Sequence, residues 1–142
     1  LRAPGIYAAD RLPVERLHKG MPALVEAEDV YTNHIHADDL AYLLKQALRF
    51  AKPNRIYHAV DDSQHKMADY FDLVADAFSL PRAPRLSRPE LEKKVSPVLL
   101  SFMSESRRLS NLRCKRELRA RLTYSCVEDG VRAAVLTMGK LT

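Results

Sequence analysis

Two histidines one residue apart run into two aspartates in the stretch Thr32-Asn33-His34-Ile35-His36-Ala37-Asp38-Asp39-Leu40-Ala41. Those side chains could grip a metal ion, move protons or open a helix. In extended backbone His34 and His36 share a face, so one metal could be held by both, but such a site needs at least a third ligand. A helix starting near Ala37 accounts for Asp38 and Asp39 more simply, because its first turn offers carboxylates unpaired N–H groups and the positive end of the helix dipole. His36 has the chemistry of a general acid or base, yet nothing in the sequence supplies it with an orienting partner. The run therefore assigns no metal ligand and no catalytic residue. Asn33, an uncharged hydrogen-bonding side chain at a strand end, is the member expected to face a substrate; the alternative is an ordinary turn or edge asparagine.

A second stretch, Leu1-Arg2-Ala3-Pro4-Gly5-Ile6-Tyr7, reads as the inside of a strand and the loop after it. Pro4-Gly5 lets the backbone turn sharply and lie close to something flat, since glycine has no side chain in the way. Tyr7 offers a ring and a hydroxyl, and Arg11 a planar fork suited to phosphate or carboxylate. On composition alone the stretch is an ordinary loop. His18, His58 and His65 are scattered and read as structural or exposed. Cys114 and Cys126 lack metal-ligand spacing and read as reduced structural cysteines.

The elements that must position these groups follow from spacing. Asp10–Gly20 reads as a short helix stopped by Gly20 and Pro22. One or two short strands are expected before Ile35. From Ala37 to Ala51, Leu40, Ala41, Leu43, Leu44, Ala47, Leu48 and Ala51 form a wide apolar stripe at helical spacing. Arg55–Val60 suits a mostly buried strand, and Lys66–Leu80 a second amphipathic helix. The proline-rich run from Leu80 to Pro89 is an extended connection. Helical patterns then cover 89–106, 111–120 and 125–141, separated by short extended pieces at 107–110 and 121–124, with a kink or break at Pro97. Alternating strands and helices indicate an α/β layer arrangement.

At 142 residues the chain is one domain's worth. No apolar run approaches the ~20 residues of a membrane-spanning helix, and the first residues do not read as a signal peptide, so a cytoplasmic protein is expected. The opening on Leu1 suggests part of a longer protein. The net charge of +5 is uneven: residues 1–81 carry −3, residues 82–121 carry +8 and residues 122–142 carry 0. A basic segment attracts phosphate on nucleic acid or on a small molecule, or is simply a solvated face. With six tyrosines and no tryptophan, no stacking platform for single-stranded nucleic acid is evident, and the intervening 121–124 piece spoils a helix-turn-helix pattern.

Four stretches, in order, resemble the extended short-chain dehydrogenases/reductases, the NAD(P)-dependent epimerase/dehydratase group. "LRAPGIYA" is similar to the family's "R.PGIYGPGR" loop, "TNHIHADDLA" to its "N.IHVDDLA" segment, "RIYHAVDD" with the helix after it to its "IYNVSDD" strand and helix, and "RRLSNLRCKRELRARLTYSCVEDGV" to its closing "R.SN.R...ELG..L.YP...EG" stretch. The resemblance implies the C-terminal portion of a Rossmann-type doubly wound sheet plus a small, mainly helical substrate-binding subdomain. It implies one unit over 1–142, with 82–142 as a basic, mainly helical closing segment. By position, Pro4, Gly5, Ile6 and Tyr7 match the loop that passes beside the nicotinamide of NAD or NADP, Arg11 sits where a substrate-facing basic residue often follows, and His36 and Asp39 join strand to helix as scaffold. The sequence departs from the pattern at Ala8-Ala9-Asp10, where the family has Gly-Pro-Gly. It departs again at Thr32, where many nucleotide-sugar enzymes place an arginine against the diphosphate.

The family's glycine-rich phosphate loop does not occur here, and none of the six tyrosines has a lysine four residues on. The expectation is thus the substrate-binding part of an NAD(P)-dependent epimerase/dehydratase-type oxidoreductase. Its cofactor would be bound mainly by an N-terminal half outside this sequence, and its substrate would be a small hydroxyl- or carbonyl-bearing molecule such as a sugar. Partners are that small molecule and a second copy in a homodimer, with neither membrane nor nucleic acid expected. The alternatives are a non-catalytic binding or remnant module, which exposed apolar surface would drive to associate, and a basic nucleic-acid-binding domain.

Overall fold

The computed structural model describes residues 1–139. In chain order the elements are β1 (Gly5–Tyr7), a 3-10 turn (Ala9–Arg11), α1 (Val14–His18), β2 (Ala23–Leu24), a 3-10 turn (Glu26–Glu28), β3 (His34–His36), α2 (Ala37–Phe50), α3 (Met67–Ala77), β4 (Arg85–Leu86), α4 (Arg88–Glu92), α5 (Pro97–Phe102), α6 (Leu112–Glu117) and α7 (Val127–Gly139). The chain is α/β and divides into two compact units. One is built from Leu1–Arg11, Asn33–Ser63 and the segment that begins at Leu109; the other from Leu12–Thr32 and Gln64–Arg108.

In the first unit β1 and β3 pair in parallel, with Gly5 beside His34, Ile6 beside Ile35 and Tyr7 beside His36. β3 runs directly into α2. The inner side of the expected stripe on α2 packs as its spacing predicts: Leu43 is buried with Ile35, Tyr57, Ala59, Cys114 and Leu118, and Leu40, Ala47 and Phe50 close around them. The outer side does not, because Leu44 is 52% and Leu48 90% exposed. The strand expected over Arg55–Val60 is reduced to a single parallel bridge between Arg2 and His58. Its backbone divides its bonds between two neighbours: Arg2 N–H donates to the Tyr57 carbonyl and Ala59 N–H to the Arg2 carbonyl, while Asp61 N–H donates to the His34 carbonyl. No ladder can lengthen on such a path.

In the second unit β2 and β4 pair in parallel, Ala23 beside Arg85 and Leu24 beside Leu86. The proline-rich connection thus contributes a two-residue strand. Leu24, Leu91 and Met103 form its buried centre, and Met67, Leu86 and Leu99 pack around them. Gly20, at φ +62°, ends α1 in the left-handed conformation glycine adopts without strain. Pro97 breaks the helical pattern by starting a new helix: it stands at the head of α5, where a missing N–H costs nothing, and the Ser96 hydroxyl caps the turn by accepting from Leu99 N–H at 3.3 Å. The helix expected to run on to 141 is described as far as Gly139, and its last two residues lie outside the described residues. Neither 107–110 nor 121–124 is a strand.

Candidate functional site

Ligands of parallel α/β sheets sit outside the carboxyl ends of the strands, which here are Tyr7 and His36, whereas Pro4, Gly5 and Asn33 lie at the amino ends of β1 and β3. At Gly5 the backbones approach closely: its N–H donates to the Asn33 carbonyl at 3.1 Å, and a Cβ there would lie 2.9 Å from that oxygen. Any side chain would push the strands apart. Pro4 and Ile6 are half-buried, and Gly5 itself remains exposed on its other side. Tyr7 is buried at 2% exposure, its ring seated on α7 so tightly that a Cβ on Gly130 would lie 2.4 Å from the phenol oxygen. Its hydroxyl donates to the Cys126 carbonyl at 3.4 Å. Arg11 closes the following 3-10 turn, where its side chain is exposed. Asn33 is half-buried, and its Oδ1 accepts from Leu109 N–H at 2.9 Å. Pro4, Gly5, Ile6, Tyr7 and Asn33 are therefore neighbours around one strand pair, and Arg11 follows on the turn.

The start of α2 is built differently from the simple picture of two capping aspartates. His36 is the N-cap: its Nδ1 accepts from Asp38 N–H at 3.2 Å, which leaves the proton of the neutral ring on Nε2. Asp38 is exposed, with its carboxylate 3.8 Å from that Nδ1. Asp39 is 1% exposed and reaches across the unit, Oδ1 accepting from Thr123 N–H and Oδ2 from Tyr124 N–H, both at 2.8 Å. These two bonds fix the 121–124 segment, and Tyr124 then stacks on His36 with ring centroids 3.9 Å apart while Tyr7 meets the same imidazole edge-on at 5.2 Å. The sequence reading missed both Asp39's long-range role and Tyr124; an Asp in a first turn next to an aspartate that already serves the dipole was the available signal.

The result is a cleft of about 240 Å³ bounded by His36, Asp38, Tyr124, Gly130, Ala133 and Thr137. It offers an imidazole N–H, a carboxylate, a phenol and methyl walls, a set that can orient a small polar molecule. The Cys126 thiol, which does not line the cleft, is pushed up to about 11, by desolvation first and by its hydrogen bond to Asp129, and stays protonated at neutral pH. Beside the cleft, the connection 61–63 clasps the start of α7. Asp62 N–H donates to the Ser125 carbonyl and the Ser63 hydroxyl accepts from Val127 N–H, both at 2.8 Å. Asp61 is 3% exposed and its Oδ1 accepts from Ser63 N–H at 2.9 Å, but its Oδ2 is buried without a hydrogen-bond partner. Burial, and then the negative charges of Asp62 and Glu128, push its carboxyl up to about 6. Among the described residues no group of three or more His, Cys, Asp or Glu side chains could hold a metal ion, and no helix is long and apolar enough to cross a membrane.

No family model matches the sequence, and no curated protein does. Solved structures do match. A conserved protein of unknown function from Silicibacter pomeroyi is 28% identical, with a TM-score of 0.82 over 96% of this chain and 47% of that one. A human epimerase family protein crystallised with NADPH is 13% identical, with a TM-score of 0.76 over 95% of this chain and 47% of its own. UDP-glucose 4-epimerase from Thermotoga maritima, crystallised with UDP-glucose, is 13% identical, with a TM-score of 0.70 over 99% and 45%. The chain has the fold of the C-terminal part of NAD(P)-dependent epimerase/dehydratase structures, and it spans less than half the length of each.

Proposed function

We propose that this chain is the substrate-binding part of an NAD(P)-dependent epimerase/dehydratase-type oxidoreductase acting on a small hydroxyl- or carbonyl-bearing molecule. The observation that carries the reading is the coincidence of order. Four sequence motifs occur in the family's sequence, and the fold they build superposes on nearly the whole chain and under half of each partner structure. Pro4, Gly5 and Ile6 present an accessible backbone edge that fits a flat ring laid against it, and Tyr7, locked on Gly130, holds that edge in place. NAD or NADP would supply hydride transfer. Within this chain, Asn33 and Arg11 serve the substrate, and the proton-transfer groups belong to the other half of the parent. The reading carries with it a cytoplasmic, homodimeric parent.

Calorimetric titration of the full-length parent with NAD(H) and NADP(H) tests it: saturable binding of one of the pair is expected, and no binding of either would overturn the proposal. Independently, the reading frame upstream of Leu1 is expected to encode a glycine-rich loop and a Tyr-x-x-x-Lys pair.

A further inference from the structure

We propose that the cavity between α6 and the 56–58 segment binds a small molecule carrying an oxyanion on an apolar or planar body. This cavity, of about 390 Å³, is larger than the cleft at the strand ends and shares no residue with it. It lies within the first unit, and the inference stands whether or not the cofactor reading does.

Its polar groups are uncommitted in a particular way. Arg116 lines it and is exposed, and its side chain makes no ion pair or hydrogen bond among the described residues. Arg113 is anchored through Nη1, which donates to the Ile56 carbonyl at 2.8 Å, so the guanidinium is held in place with the rest of its donors unspent. Ser110 uses its oxygen to accept from Leu112 N–H at 3.3 Å and keeps its O–H for another acceptor. The His58 imidazole, half-buried on the wall, has no side-chain partner among the described residues. Every one of these is a donor, and the complementary ligand group is an acceptor with negative charge.

The one acid in the lining does not cancel them. Glu117 receives the Tyr57 hydroxyl and an Arg55 N–H, each at 2.8 Å, and the Tyr57 bond first and Arg55 second hold its carboxyl below the usual range. Its charge is already spoken for. Between the donors, Ile56 and Leu112 are 45% and 55% exposed, large apolar side chains open to water in the same concavity. A bare inorganic ion would leave them wet, whereas a ligand with an apolar body covers them, and apolar area removed from water is favourable. A nucleic-acid strand fits less well, because the lining holds no tyrosine, phenylalanine or tryptophan on which a base could stack.

The test is titration of the full chain with phenyl phosphate, benzoate and inorganic phosphate, followed by calorimetry and by amide chemical-shift mapping. One saturable site is expected, with shifts centred on 56–58 and 110–117, and with phenyl phosphate or benzoate bound more tightly than inorganic phosphate. The tighter of the two aromatic ligands tells whether the site prefers phosphate or carboxylate. Arg116→Gln, on an exposed side chain with no partner to lose, should keep the native circular dichroism and bind about tenfold more weakly, the loss of a charged hydrogen bond. Ile56→Ser should erase the preference for the aromatic ligands over inorganic phosphate. Absence of saturation, shifts elsewhere, or Arg116→Gln binding as well as the parent sequence would overturn the proposal. So would a single-stranded oligonucleotide that displaces phenyl phosphate and binds more tightly, which would assign the cavity to nucleic acid.

Discussion

Replacing Asp61 by asparagine should stabilise the first unit at neutral pH, against the usual sense of a core substitution. Asp61 is buried, one of its oxygens has no partner, and the charges that act on it, Asp62 and Glu128, are of its own sign. Its carboxyl titrates at about 6 in the fold and near 3.8 outside it. The folded form therefore holds the proton more tightly than the unfolded form, so the unfavourable contribution is absent below the unfolded value, grows as pH rises through the interval and is complete above about 6. An interval of roughly two pH units corresponds to about 3 kcal/mol. Asparagine keeps an oxygen to accept from Ser63 N–H and removes the buried charge. With no tryptophan among the 142 residues, unfolding in urea is best followed by far-ultraviolet circular dichroism, at pH values from 4 to 8. The expected result is equal stability of the two proteins near pH 4, and an advantage for Asp61→Asn that opens between pH 4 and 6 and reaches as much as about 3 kcal/mol at pH 8. A variant that is no more stable at pH 8, or an advantage that does not change with pH, would refute the argument that burial of an unpaired charge dominates at this position.

Other perturbations should act in the ordinary direction. Asp39→Asn leaves one of two backbone donors, at Thr123 or Tyr124, facing an amide NH₂ and should cost about 2–3 kcal/mol, read as a lower urea midpoint; an unchanged midpoint would show that the two bonds do not hold the segment. Gly130→Ala places a methyl 2.4 Å from the Tyr7 ring and should cost about 1–3 kcal/mol, with much of the loss restored in a Tyr7→Leu background; additive losses would sink the close-packing account.

What the sequence made legible is what depends on neighbours along the chain. The i, i+3, i+4 spacing of Leu40, Leu43 and Ala47 is enough to place α2, and Pro97 is enough to end one helix and begin another. Arg55–Val60 shows where such reasoning stops. Its apolar content reports burial, and Tyr57, Ala59 and Val60 are buried, but whether a buried run becomes a strand depends on which backbone lies beside it, and here two different ones do. The same limit governs the candidate site. A first-turn aspartate looks alike whether it serves the helix dipole or accepts from amides 84 and 85 positions away, and Asp39 does the latter. For His36, the sequence implies a scaffold residue joining strand to helix, and its cap to Asp38 is local, while its place between two tyrosine rings depends on where residue 124 is brought.

The segment from Thr123 to Val127 is the part of the first unit that connects these observations. It has no regular structure until α7 begins at Val127, yet it is tied to four places: to Asp39 on α2, to Asp62, to Ser63, and to the Tyr7 hydroxyl on β1. Each tie uses a main-chain group of the segment, so Tyr124 is delivered against His36 irrespective of what its neighbours' side chains are. The cleft at the strand ends consequently inherits its shape from hydrogen bonds made on the far side of the segment. Two of the four ties come from the 61–63 clasp that contains the buried, titrating Asp61. Ionisation of that carboxyl loads the clasp with a buried charge, so the first backbone amides to exchange faster with solvent as pH rises from 5 to 7, after correction for intrinsic exchange, should be those that tie the clasp to the segment, Asp62 and Val127. Uniform protection across the unit over that range would show that the clasp and the core open only together.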